Sequence, residues 1–156
     1  MHSKFLELTG PERRTVTAGV MVGVFLGAME PTVVATAMPT VVASLGGLDV
    51  YSWVFSSYLL TSTVTVPLWG KFSDLYGRRP FYLLGIALFL LGSVACGFSR
   101  TMTQLILFRG VQGLGAGAIL ALGLTIIGDI YPFEARARLQ GYLSGVWGVA
   151  SIAGPF

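Results

Sequence analysis

One cysteine, one histidine and few charges set the first limits on this chain of 156 residues, of which only 11% are charged. The cysteine, Cys96, lies inside an apolar run, which excludes an intrachain disulfide and a thiolate metal cluster. The histidine, His2, stands at the terminus, so histidine-based metal sites and Ser-His catalysis are excluded as well. No nucleophile–base or metal-ligand spacing appears elsewhere, and the chain is not read as an enzyme. Basic residues fall in short stretches between apolar segments instead of along one face, which argues against a nucleic-acid partner. Gly113-Leu-Gly-Ala-Gly117 has no Lys-Ser/Thr after it and sits in a membrane-length segment, so it reads as helix packing and not as a phosphate loop. No signal peptide is expected, because no short apolar region is followed by a small-residue cleavage site.

What the chain has in quantity is apolar surface and glycine. Hydrophobic residues make up 54%, mean hydropathy is +0.76, and there are 21 glycines. In water that many glycines would weaken helices; in lipid, small residues let helix backbones approach closely. The composition therefore predicts an all-α, polytopic membrane protein. A bilayer core takes about 20 apolar residues per helix. Five such segments are expected, at about 16–38, 50–70, 80–99, 102–128 and 139–156. They divide the chain into an N-terminal segment, 1–14, and a transmembrane bundle, 15–156.

Eight of the ten basic residues (Lys4, Arg13, Arg14, Lys71, Arg78, Arg79, Arg136, Arg138) fall on one side of these segments, against Arg100 on the other. That bias places the N-terminus in the cytoplasm and makes the lipid bilayer of a plasma membrane the expected surroundings. Trp53 and Trp69 are separated by about 24 Å of helix, as interfacial anchors would be. Gly19, Gly23 and Gly27 on the first segment, with Gly113 and Gly117 on the fourth, form small-residue stripes suited to close helix packing.

Two charges lie inside the apolar segments. Burying a charge at mid-membrane costs about 2.5–3.5 kcal/mol on insertion scales, so such groups are functional candidates. Glu30 on the first segment and Arg109 on the fourth are each eight residues from an outer end, about 12 Å deep. Equal depth predicts that they approach one another, either as a static ion pair or as a protonatable site. A second set gathers toward the inner surface: Asp74, Arg78 and Arg79 in an expected nine-residue connection, and Asp129 at the end of the fourth segment. Asp74 and Arg78 would share a face if that connection is helical.

Gly70-Lys-Phe-Ser-Asp74-Leu-Tyr-Gly77-Arg78-Arg79 resembles the loop 2–3 signature of the major facilitator superfamily. Leu-Ile-Leu-Phe-Arg109-Gly-Val-Gln112-Gly113-Leu-Gly115 resembles its helix-four motif. Met29-Glu30-Pro-Thr-Val-Val-Ala-Thr-Ala-Met-Pro39 resembles the acidic helix-one motif of the fourteen-span drug:proton antiporter branch. Gly141, Ala150, Gly154 and Pro155 fit the spacing of the helix-five antiporter motif. Glu30 stands where that branch usually has aspartate, Leu75 where a basic residue is common, and Ala150 where glycine is usual.

The resemblance implies alternating access: two bundles rocking about a central site, protons inward and a small organic molecule outward, with the proton gradient as energy source and no cofactor or metal. Glu30 and Arg109 would couple to protons, and Gly70 and Asp74 would dock a helix of a missing C-terminal bundle. Arg78 would alternate between Asp74 and Asp129. The chain would then be an N-terminal fragment of a transporter with twelve or fourteen spans. A family member with another substrate (siderophore, sugar acid or amino acid) and a non-transporting scaffold or sensor are the alternatives.

Overall fold

The computed structural model describes residues 10–132 and, beyond them, 141, 142, 144, 145, 148 and 149. Four helices fill the first stretch: α1 Gly10–Leu45, α2 Ser52–Tyr76, α3 Arg78–Gly97 and α4 Met102–Ile130. The later positions are helical too, and no strand occurs among the described residues. α3 and α4 match the expected segments to within two residues at each end.

α1 is longer than expected at both ends. It starts inside the segment read as non-membrane, with Pro11 in its first turn, where a missing N–H loses nothing. It also runs through Pro31 and Pro39, past the expected end near residue 38. Thr32 and Ser44 turn their hydroxyls back within the helix, onto Met29 O at 2.8 Å and Val41 O at 3.0 Å. What ends α1 is Gly46 at φ 68°, whose N–H returns to Val42 O at 2.9 Å.

The expected nine-residue connection between the second and third segments is a single residue, Gly77. α2 continues to Tyr76 and α3 begins at Arg78. Gly77 has φ 99° and ψ 149°, a region open essentially to glycine alone, and its N–H closes α2 onto Ser73 O at 2.9 Å. The polar residues of 71–76 hid this continuation, because helices that leave the hydrocarbon do not have to stop there.

By length and composition α1, α3 and α4 are apolar enough to cross a membrane. α2 has the length, 25 residues, but is rich in serine and threonine. Its hydroxyls bond carbonyls of their own helix: Thr61 to Ser57 O at 2.9 Å, Ser62 to Leu59 O at 3.0 Å and Thr65 to Thr61 O at 2.6 Å. Such back-bonding masks the polarity that a hydropathy scale counts in full.

The helices form two compact units, 1–33 with 123–156 and 34–122. In the first, the start of α1 is tied to the end of α4 by Thr17 Oγ1 and Tyr131 OH at 2.9 Å, with the Arg13 guanidinium 5.7 Å from the Tyr131 ring centroid. In the second, Met38, Val54, Met102 and Leu105 are buried together, and α4 packs against α2 and α3. A Cβ on Gly117 would lie 2.5 Å from Ser62 O; one on Gly115 would lie 2.5 Å from Gly85 O and closer still to Phe89 N. The stripe on α4 is thus a contact surface, as expected. On α1, Gly19 and Gly27 have no described atom within 4 Å of an added Cβ, while Gly23 and Gly27 are buried.

Candidate functional site

Arg109 is the best-defined polar centre of the 34–122 unit. It is 2% exposed on α4, with apolar residues on either side of it along the helix. Its Nε donates to Val54 O at 3.1 Å, and its Nη1 donates to Gln112 Oε1 at 2.9 Å. Its guanidinium carbon lies 4.3 Å from the centroid of the Tyr58 ring. Helical geometry explains the set. Val54 and Tyr58 are one turn apart and present a carbonyl and a ring on the same face of α2. Gln112 lies three residues beyond Arg109 and so on its face of α4.

Glycine makes this approach possible. A Cβ on Gly113 would collide with Thr61 Oγ1 and come within 2.5 Å of Tyr58 O, so any larger residue would push α2 away. Gly92 does the same for α3, where a Cβ would sit 2.7 Å from the Gln112 backbone nitrogen. One turn beyond Gly92, Cys96 points its Sγ at Gln112 Oε1, 3.9 Å away. Two further bonds fasten α2 to α4: Ser57 Oγ to Ile106 O at 3.0 Å and Trp69 Nε1 to Leu114 O at 2.9 Å. The Val54 carbonyl, the Gln112 carboxamide and the Tyr58 ring thereby place three neutral groups against the guanidinium.

Glu30 is 6% exposed and belongs to the other unit, 1–33 with 123–156. At the α2–α3 turn, Arg78 Nη2 reaches Asp74 Oδ1 at 3.4 Å, bringing together two of the expected inner charges. They pair across Gly77 and not along a continuous helix. Arg79 beside them is exposed, and Gly70 has no atom within 4 Å of an added Cβ. Asp129 is half-buried near the end of α4, in the other unit. Gly141 is helical, with no atom within 4 Å of an added Cβ, while Ala150, Gly154 and Pro155 lie outside the described residues.

Sequence reasoning missed Tyr58, Val54 and Cys96. The available signal for Tyr58 was a polar row at helical spacing on α2, Ser57, Tyr58, Thr61, Ser62 and Thr65, facing a glycine-rich helix. Val54 contributes only a backbone carbonyl and left no side-chain signal.

Residues 20–156 match the family model of the Major Facilitator Superfamily. The chain is 45% identical to Multidrug resistance protein 3 of Bacillus subtilis over 140 residues, 90% of this chain and 27% of that one. It is 42% identical to Multidrug transporter protein MdtP of the same species over 144 residues, 92% of this chain and 27% of that protein. It is 40% identical to Efflux pump dotC of Dothistroma septosporum over 137 residues, 88% of this chain and 23% of the pump. The chain thus spans about a quarter of the length of these curated relatives. A helical chain of membrane-length apolar segments, with an arginine buried in one of them and this family match, belongs to the Major Facilitator Superfamily of multi-pass membrane transporters.

Proposed function

We propose that this chain is the N-terminal part of a proton-coupled efflux antiporter that works by alternating access on small organic molecules. The observation that carries the reading is the burial of two ionisable side chains, Glu30 and Arg109, at 6% and 2% exposure in apolar helices of a chain with few charges. A scaffold gains nothing from burying such groups, which cost about 2.5–3.5 kcal/mol each on insertion scales. A transporter uses them: Glu30 takes up and releases the proton, and Arg109 supplies a fixed positive charge. Relatives named as multidrug transporters and an efflux pump support the export of drug-like molecules.

In this reading the N-terminus is cytoplasmic and the protein sits in the plasma membrane, as the distribution of basic residues favours. A C-terminal bundle encoded beyond Phe156 completes the substrate cavity. Gly70, open on its outer side, takes the close approach of a helix from that bundle, and Asp74 faces the positive end of the same helix. Arg78, paired with Asp74 in this structure, exchanges toward Asp129 as the inner gate opens.

The test is efflux of a fluorescent lipophilic cation from proteoliposomes holding the longer transporter, with and without an imposed pH gradient. Wild type moves the dye only with the gradient, and Glu30→Gln abolishes that dependence. Transport that ignores the gradient, or survives Glu30→Gln unchanged, refutes proton coupling. Gradient-driven movement of an amino acid or sugar acid in place of the dye refutes the substrate class alone.

A further inference from the structure

We propose that Tyr58 is a positioning residue for Arg109: its ring face, more than any hydroxyl contact, holds the guanidinium at the angle from which Nε reaches Val54 O and Nη1 reaches Gln112 Oε1. The proposal rests on the reading of Arg109 as part of the coupling machinery.

The geometry supplies the argument. The guanidinium carbon is 4.3 Å from the ring centroid, well inside the reach of a cation–π contact. Arg109 is 2% exposed and Tyr58 8%, so water does not weaken the attraction as it does at a surface. A guanidinium is planar, and the bonds to Val54 O and Gln112 Oε1 run close to that plane. Each bond fixes a direction within the plane, but neither prevents the group from rocking about the line between them. A flat ring against one face removes that remaining freedom.

The backbone is arranged to seat this ring. The Tyr58 carbonyl would lie 2.5 Å from a Cβ on Gly113, so the α2 backbone comes close to α4 at the residue carrying the ring, as it does again at Ser62 and Gly117. Thr61 Oγ1 bonds Ser57 O at 2.9 Å and Tyr58 O at 3.2 Å, fastening the turn that follows. The network then extends to a natural reporter. Gln112 Oε1, which accepts from Arg109, also faces Cys96 Sγ at 3.9 Å, and Cys96 is the only cysteine of the chain. A shift of the guanidinium releases the carboxamide and alters the surroundings of that thiol.

Two measurements test the proposal. The first is the rate of Cys96 labelling by a membrane-permeant maleimide in the 156-residue chain in lipid. Tyr58→Phe, which keeps the ring, should label like wild type; Tyr58→Leu and the more flexible Tyr58→Met should label several-fold faster. The second is dye transport by the longer protein as a function of pH. Tyr58→Phe should keep the wild-type profile and rate to about twofold, whereas Tyr58→Leu and Tyr58→Met should slow gradient-driven transport about tenfold or more and displace the profile, with dye affinity unchanged. A Tyr58→Phe variant as impaired as Tyr58→Leu overturns the ring-face argument. So does a leucine or methionine variant with wild-type labelling and pH profile. If the wild-type protein shows no gradient-driven transport, the functional reading fails, while the labelling series still decides whether Tyr58 positions Arg109.

Discussion

Replacing Gly115 by alanine adds one methyl group to α4 where α3 leaves no room for it. The new Cβ would stand 2.5 Å from Gly85 O and closer than that to Phe89 N, both backbone atoms of α3. Carbon and oxygen in ordinary contact are about 3.3–3.6 Å apart, so the two helices must separate by roughly 1 Å. Neither obstacle is a side chain that can rotate away. Overpacking of this kind costs about 1–3 kcal/mol, equivalent to about 5- to 150-fold in the folded-to-unfolded ratio. Gly27→Ala is the matched control, because no atom lies within 4 Å of its added Cβ. Unfolding by SDS in mixed micelles, followed by far-UV circular dichroism, gives the comparison. Gly115→Ala should unfold at clearly lower SDS, and Gly27→Ala should stay within about 0.5 kcal/mol of wild type. Equal behaviour of the two variants would show that α3 and α4 do not meet through this glycine.

Arg109→Lys keeps the charge but replaces a planar fork by a point donor, so it cannot serve Val54 O and Gln112 Oε1 together; losing one charge-assisted bond, about 1.5–3 kcal/mol, should cut gradient-driven transport about 10- to 150-fold without lowering expression, as a proteoliposome flux assay reads. Gly77→Ala forces a side chain onto φ 99° and ψ 149° at about 1–3 kcal/mol, and should lower the SDS midpoint. Gly70→Ala meets no atom within 4 Å, and should leave that midpoint unchanged while slowing transport if a further helix docks there. Trp69→Phe removes the bond to Leu114 O, and should cost about 1 kcal/mol in the same unfolding assay.

Helix existence was legible because it follows from composition, and helix ends were not because they follow from local chemistry. The third and fourth segments could be read to within two residues, since a charge or polar turn stands near each end. α1 runs on through Pro31 and Pro39, residues that usually interrupt a helix. Gly77 compressed a nine-residue connection into one residue because a single left-handed backbone angle suffices for the turn. At the site, Arg109, Gln112 and Gly113 announced themselves as a charge, an amide and a small residue in an apolar run. Their partners did not, as Val54 acts through its backbone and Tyr58 through a ring face that any aromatic in a membrane helix could present. The glycines of α4 show what such a stripe does, since Gly113, Gly115 and Gly117 each have backbone atoms of a neighbouring helix against them.

The way Arg109 is held bears directly on what it can do. The Val54 carbonyl, the Gln112 carboxamide and the Tyr58 ring have no titratable charge near neutral pH, so their grip does not loosen as protons come and go. Glycines at 92 and 113 bring α3 and α4, and α2 and α4, close enough for these neutral groups to suffice. These three contacts therefore hold the guanidinium in the same place whatever the protonation of acids elsewhere in the bundle. Close helix packing through glycine and a stable positive charge in the hydrocarbon are thus one design, and enlarging either glycine should disturb the charge before it disturbs the fold. Gly92→Ala tests this order of events: faster Cys96 labelling at unchanged helical content supports it, and loss of helix with unchanged labelling rules it out.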